Sequence, residues 1–394
     1  MKILRVIETM NPALGGPSQG IRNSIPALKK IGVENEVVTL DDPTSPFIAG
    51  DPFKTHALGP AKGPWHYSSR LVPWLLDNLH RFDIVIVHGL WWYHSQATGR
   101  AVHQYRNASK SGKSKPKLFV MPHGMLDPYF QRAPERRLKA IRNWIYWRLI
   151  ESRLINRADG VLFTCEAELL LAREPFRPYH PKRELNVGYG IQEPPALTSA
   201  MKDAFIEKCP EVADKPYILF LSRIHEKKGA DLLIKAYSSV CKNGSPQLVI
   251  AGPGMETDYG KMLTQLVKEN GVENSVHFPG MLAGDSKWGA FYGCELFALP
   301  SHQENFGISV AEALACGIPV LISNQVNIWR EIKKGGAGLV GPDTLEGTIS
   351  SLTHWTNLSM DERSEMRRGA IETYKSNFAI GPAAKQMAQA LNSN

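Results

Sequence analysis

Short apolar runs recur along the chain, with stretches of mixed polarity between them. In the first half "KILRVIE" (2–8), "FDIVIVHGL" (82–90), "KLFVMPHG" (117–124) and "DGVLFTC" (159–165) read as strands. The second half repeats the rhythm with "PYILFLS" (216–222), "PQLVIAG" (246–252), "SVHFPG" (275–280), "CELFALP" (294–300) and "IPVLIS" (318–323). Runs that are apolar throughout, rather than alternating, suit strands buried on both faces. The intervening segments carry helical spacing, as in "PSQGIRNSIPALKKIG" (17–32), where Pro26 implies a kink. Strands alternating with helices predict parallel sheets covered on both faces, an α/β architecture. Two such series predict two doubly wound domains. The Gly- and Pro-rich "GYGIQEPPALTS" (188–199) marks the boundary, giving a first domain over 1–190 and a second over 191–377. A last helical stretch, 378–394, is followed by no strand. The run "NASKSGKSKPK" (107–117) reads as a solvated loop.

Composition adds limits. The 394 residues are 43% hydrophobic and 21% charged, ordinary for a globular chain and enough for two cores. Five scattered cysteines without a C-x-x-C spacing read as reduced thiols, and the opening residues lack a signal-peptide pattern, so a cytoplasmic location is expected. No apolar run is long enough to span a membrane. Charge is uneven: residues 1–190 hold 27 Lys and Arg against 16 Asp and Glu, a balance of +11, while the remainder has 19 against 22, or −3. A basic first half implies an anionic neighbour such as a lipid headgroup, phosphate or nucleic acid.

In open α/β sheets ligands bind beyond the carboxyl ends of strands, at helix starts. "FLSRIHEKKGADLLIKAY" (220–237) puts Arg223 and Lys228 at such a crossing, where two cations can clamp a diphosphate. The same residues also fit an ordinary charged loop. In "SHQENFGISVAEALACGIPV" (301–320), Glu304 precedes an expected helix and Glu312 lies in its second turn. Fully helical geometry would separate them by about 12 Å. That span matches a ligand with a sugar at one end, a ribose at the other and a diphosphate between them. A surface helix with two solvated glutamates is the plain alternative. At "HFPGML" (277–282) the backbone of Met281 and Leu282 is placed to meet a flat base.

The first half offers "NPALGGPSQG" (11–20), where Gly15 and Gly16 allow close backbone approach but do not form the dinucleotide G-x-G-x-x-G pattern. "MPHGMLDP" (121–128) sets His123 and Asp127 after a strand, and His88 and His94 flank "GLWW". These residues are too dispersed to predict a metal site, and His88 reads as a satisfied loop histidine. "APERRLKAIRNWIYWRLIESRLINRAD" (133–159) reads as one helix after Pro134. Arg136, Arg137, Lys139, Arg142, Arg148 and Arg153 beside Trp144, Tyr146 and Trp147 suit an anionic membrane surface, and equally a core-packed helix with a solvated charged face.

Taken in order, "SRIHEKKG" (222–229) and the Glu-seven-residues-Glu run "PSHQENFGISVAEALACGIPV" (300–320) resemble the retaining nucleotide-sugar glycosyltransferases of family 4, with the GT-B fold. The Gly-Gly loop and "PHG" support the likeness, which spans nearly the whole chain. It implies two Rossmann-like domains facing a central cleft, with acceptor binding in the first, and a final helix crossing back to the first. It also implies roles. Arg223 and Lys228 hold the donor diphosphate, Glu304 meets donor-sugar hydroxyls, and Phe306, Gly307 and Ile308 line phosphate and sugar through backbone. Glu312 binds ribose, Met281 and Leu282 cradle the base, Gly16 lies near the transferred group, and His123 lies near sugar or acceptor. No metal or other cofactor is expected. The donor is a UDP-hexose, UDP-glucose first, and the acceptor a saccharide or lipid-linked saccharide in polysaccharide biosynthesis. The linker departs from the family's usual "PNGID", reading "GYGIQ" (188–192) instead. A GT-B-like phosphorylase or epimerase, or a basic nucleic-acid binder, is the alternative; no nucleic-acid module is recognisable.

Overall fold

The computed structural model describes residues 1–108, 115–133, 136–241 and 246–393. Much of the expected 107–117 loop, and Pro134 as the expected start of the long helix, lie outside the described residues. Among those described, thirteen strands form two wholly parallel sheets. The first contains β1 (Lys2–Ile7), β2 (Glu34–Thr39), β3 (Lys54–Ala57), β4 (Ile84–His88), β5 (Lys117–Met121), β6 (Gly160–Phe163) and β7 (Glu184–Asn186), in the order β3-β2-β1-β4-β5-β6-β7. The second contains β8 (Tyr217–Leu221), β9 (Gln247–Ala251), β10 (Val276–Gly280), β11 (Leu296–Leu299), β12 (Val320–Ser323) and β13 (Gly338–Gly341), in the order β10-β9-β8-β11-β12-β13. Each sheet reverses its winding once, between β1 and β4 and between β8 and β11. These reversals are the topological switch points at which doubly wound sheets bind ligands.

All nine apolar runs became strands. The four that pattern reading missed are β2, β3, β7 and β13. β3, β7 and β13 are short and are sheet edges where one flank needs no apolar cover. β2, "ENEVVT", opens with two glutamates.

The chain divides into two compact units. One comprises Met1–Gly190 with Ile380–Asn394, the other Ile191–Ala379. In the first unit, period-two alternation sorts side chains to opposite faces. Leu4, Val6, Val85, Val87, Leu118 and Val120 join one core with the helices Leu71–Asn78 and Tyr93–Ala108. Ile3, Ile84, Ile86, Phe119 and Met121 join another with Leu28 of helix Gly16–Lys30 and with Met387 and Leu391 of the last helix, Ile380–Asn392. Pro26 lies inside Gly16–Lys30 without ending it.

The basic segment is helical over Arg137–Tyr146, widens into a π turn at Trp147–Glu151, and resumes over Ser152–Arg157. Trp147, Glu151 and Ile155 are buried, but Leu138, Ile141, Trp144, Ile145 and Leu149 are exposed. A helix packed by its whole apolar content is therefore not what forms. The core takes one face and leaves a second apolar stripe in solvent.

Candidate active site

In the second unit, β8 runs out at Leu221 and the chain turns through a short 3-10 segment, Glu226–Lys228, into helix Ala230–Val240. Gly229 joins the two at φ +68°, and a Cβ there would stand 2.2 Å from the Pro300 carbonyl oxygen. Only glycine permits that approach. It presses the Lys228 turn against the end of β11. A second stitch, from the His302 amide to the Lys227 carbonyl (2.8 Å), joins the same two loops. The Lys228 ammonium consequently meets the Glu304 carboxylate as an ion pair, although 76 positions separate them. The Glu304 backbone is itself fixed, donating to Gln325 and accepting from Asn327, each at 3.0 Å.

Past Glu304, Gly307 adopts φ +80° and opens helix Ile308–Ala315, which no side chain caps. Uncapped amide groups at a helix start attract anions. Phe306 is buried with its ring edge-on to Phe378. Because the helix begins only at Ile308, the fully helical spacing between Glu304 and Glu312 does not apply. Glu312 pairs with Lys287 at 2.9 Å, and that ammonium sits 4.0 Å from the Trp288 ring centroid. Nothing in the local sequence pointed to Lys287. At the end of β10, Gly280 turns the chain (φ +77°), Met281 is exposed, and Leu282 turns its side chain into the core. Arg223 is exposed just after β8.

The first unit brings together a different set. Gly15, at φ +106°, and Gly16 open helix Gly16–Lys30 without a side-chain cap, and the Gly16 carbonyl accepts from the Tyr189 hydroxyl at 3.0 Å. His123 adopts φ +54°, a left-handed conformation uncommon outside glycine. The next amide, of Gly124, donates to buried Glu168 at 2.6 Å, which holds the turn. His123 Nε2 lies 2.9 Å from His88 Nδ1, and His88 Nε2 lies 3.4 Å from Arg5 Nη1. Contrary to the loop reading, His88 is the last residue of β4, and His94 belongs to helix Tyr93–Ala108. Burial pushes the His123 pKa down to about 3, with Arg5 adding to the fall, and burial drives His88 well below its ordinary value. Both rings are neutral at pH 7. A guanidinium can only donate. So His88 Nε2 accepts from Arg5, the His88 proton sits on Nδ1, His123 accepts at Nε2, and His123 carries its own proton on Nδ1. The row thus fixes one tautomer of His123. Arg5 is buried in the middle of β1 and also donates to Asn35 at 2.9 Å. A lone arginine inside "KILRVI" was the available signal for this row.

Among the described residues no cluster of three or more His, Cys, Asp or Glu is placed to hold a metal ion. Asp127, the fourth residue after His123, is buried and accepts from the Tyr129 amide. All five cysteines are free.

Residues 15–185 match the family described as Glycosyl transferase 4-like domain, and residues 201–372 match Glycosyl transferases group 1. This chain is a family 4-type glycosyltransferase. Among its relatives, an uncharacterized glycosyltransferase of Methanocaldococcus jannaschii is 33% identical over 147 residues, covering 36% of this chain and 37% of that one. D-inositol 3-phosphate glycosyltransferase of Stackebrandtia nassauensis is 30% identical over 198 residues, 48% of this chain and 44% of the relative. Mannosylfructose-phosphate synthase of Agrobacterium fabrum is 32% identical over 125 residues, 30% and 27% of the two chains. The matches thus span between about a quarter and a half of these relatives' lengths. Among solved structures, HepE of Anabaena with UDP and glucose superposes with a TM-score of 0.74 at 20% identity, over 100% of both chains. A glycosyltransferase of Rickettsia africae gives 0.76 at 15% identity, over 100% of this chain and 99% of the other. The fold of this glycosyltransferase is therefore GT-B, with two Rossmann-like domains.

Proposed function

We propose that this glycosyltransferase moves a hexose from a nucleotide diphosphate sugar, UDP-glucose first, to an acceptor hydroxyl with retention of anomeric configuration. The observation that carries the reading is the Lys228–Glu304 pair set beside the uncapped start of helix Ile308–Ala315. Lys228, with exposed Arg223 near it, offers cations for the diphosphate. Glu304, whose backbone is pinned, offers a carboxylate for sugar hydroxyls. The amides at Gly307 and Ile308 add donors where the leaving diphosphate gathers charge, and such preorganised donors act most strongly on the transition state. Glu312 takes the ribose, and the turn at Met281 and Leu282 takes the base. No protein nucleophile is assigned. The leaving diphosphate assists proton removal from the acceptor on the same face, and protein cations supply the neutralisation without a metal. In the first unit, the Gly15–Gly16 helix start and the His123 Nδ1 donor face the sugar or its acceptor.

The acceptor is a saccharide or lipid-linked saccharide of a polysaccharide pathway. Exposed Arg137, Lys139, Arg148 and Arg153 then hold the first unit on an anionic inner-leaflet surface. Among the described residues no helix is long and apolar enough to cross a membrane, so peripheral contact is the form proposed. Two relatives named for phosphorylated compounds favour a second reading, a soluble phosphorylated acceptor. Incubating the chain with UDP-glucose and each acceptor class, and reading the product anomer by NMR, tests the reaction. An inverted linkage, or no transfer from any nucleotide sugar, would overturn it.

A further inference from the structure

We infer that the first unit carries a binding site for an amphiphilic glycan, a saccharide joined through phosphate to an apolar tail, in which Arg136 and Arg142 take the phosphate. The inference rests on the transfer reaction proposed above and names the chemistry of its acceptor.

Two neighbouring hollows carry the argument. One, of about 470 Å³, is walled by Trp65, Trp91, Trp92 and Tyr146, with Arg136 and Arg142 among its lining. The other, of about 380 Å³, is walled by Leu138, Ile141, Ile145 and Leu149. Arg142 and Tyr146 line both, so the aromatic hollow passes into the apolar one at an arginine.

The aromatic walls are fixed in place. Trp91 holds φ +76°, a strained backbone conformation for a bulky side chain that persists only where the surroundings impose it. Buried Glu151 imposes it here, accepting from the Trp91 amide at 2.9 Å and from the Ser95 hydroxyl at 2.7 Å. Trp65 Nε1 donates to the Tyr146 hydroxyl, and the Trp91 and Tyr146 rings meet edge to face at 6.2 Å. Flat, immobile aromatic faces with negative centres suit the C–H faces of a pyranose.

The only charged side chains among the described lining residues of the two hollows are arginines. Arg136 Nε is buried and has no hydrogen-bond partner among the described residues, while its guanidinium stacks 4.9 Å from the Phe130 ring centroid. Arg142 directs Nε and Nη2 at the neutral Asn143 amide oxygen, not at a carboxylate. Two arginines without an acidic partner among the described residues, one with an unmet buried donor, are complementary to a phosphate or diphosphate.

The apolar hollow sets the third part. Leu138 is 84% exposed, Ile141 58%, Ile145 47% and Leu149 59%, successively three or four positions apart along one helical stripe. A soluble sugar phosphate would leave that stripe bare, and a plain hydrocarbon would leave the arginines and tryptophans unused. One molecule covers all three surfaces if it has a tail, an anionic link and a sugar in that order.

Equilibrium binding to the full chain, without donor and in one non-ionic detergent, tests this. The probes are polyprenyl-diphosphate-linked glucose, polyprenyl diphosphate, glucose 1-phosphate, and micelles doped with phosphatidylglycerol. The linked glucose should bind at least about tenfold tighter than each of the others, since each part lost removes a separate contact surface. Arg136→Gln with Arg142→Gln should weaken it about tenfold or more. Leu138→Gln, a substitution at an exposed position that folding tolerates, should weaken the tailed probes and leave glucose 1-phosphate unchanged. Equal binding of glucose 1-phosphate would remove the tail from the site. Equal binding of the doped micelles would assign the surface to bulk lipid, and indifference to the double arginine change would remove the phosphate. Binding of UDP-glucose is read separately. If it persists while the linked glucose fails, only this inference falls. If it is lost while the linked glucose binds, the transfer reading falls and the site stands.

Discussion

At the switch point of the second sheet the polar groups are ions in pairs, Lys228 with Glu304 and Lys287 with Glu312, each partly reached by water. In the first unit His88, His94 and Glu151 are buried and His123 is half-buried. Burial lowers His88, His94 and His123, and raises Glu151 to about 7 against the bonds from Ser95 and Trp91. The difference has a single cause. Partly solvated charges keep their ionisation when an opposite charge stands beside them, whereas a group taken wholly out of water turns neutral unless fully paired. In the proposed reaction the second unit takes the charged diphosphate. The first presents neutral donors and aromatic faces, suited to hydroxyls and sugar rings, with its net positive charge kept on the outside.

The strongest way to break this contrast is to remove a charge from the second unit. Lys228→Ala should lower kcat for transfer from UDP-glucose by about a hundred- to a thousandfold, the range for losing one preorganised stabiliser of developing charge. Arg223→Ala should act in the same direction, and EDTA should do little by comparison. Full activity of both variants, with activity abolished by chelation, would make the metal and not the cations the source of stabilisation.

A test in the first unit follows from Glu151, whose pKa is about 7 when folded against 4.5 as the ordinary value. Below pH 4.5 it is protonated in both states. Between pH 4.5 and 7 the unfolded chain alone releases the proton, so stability falls as pH rises, by on the order of 3 kcal/mol in all. Glu151→Gln should flatten that fall. Six of the nine tryptophans lie within residues 65–147, so denaturation followed by tryptophan emission reports mainly on this unit. The histidines act oppositely: lowered when folded, they contribute stability above pH 6.5 that is lost as pH falls toward 4. A difference between wild type and Glu151→Gln that stays flat from pH 4.5 to 7, with the opposing histidine contribution common to both, would place Glu151 in contact with water.

Glu312→Ala sharpens the pairing argument. It should weaken UDP binding by about 1–3 kcal/mol in calorimetry, while Lys287→Met, which keeps the carboxylate, should cost less. Unchanged affinity for every nucleotide would take Glu312 out of the site. The smallest effect per residue concerns the surface. Changing Arg137, Lys139, Arg148 and Arg153 to Gln should reduce co-sedimentation with anionic vesicles, at about 1 kcal/mol for each cation, and more salt should reduce it further. UDP binding should not change. Equal recovery of variant and wild type would mean that these charges are only solvated.

How much of this was legible in the sequence depends on how local the signal is. Apolar runs, Gly and Pro placed nine of the thirteen strands and the boundary near residue 190, because strand burial and turn geometry are written within a few residues. Edge strands such as β3, "KTHA", carry no such run. The Glu304-to-Glu312 stretch was readable because strand end, glycine and helix start follow one another in the chain. What the sequence left open was partnership and burial. That Glu312 faces Lys287, that Arg5 orders the His88 and His123 protons, that Glu151 holds Trp91 in a left-handed turn, and that Leu138 and Leu149 face solvent are outcomes of elements meeting across tens of residues. Desolvation and ion pairing depend on every neighbour in space at once. No window of sequence contains those neighbours until the sheets have closed on their helices.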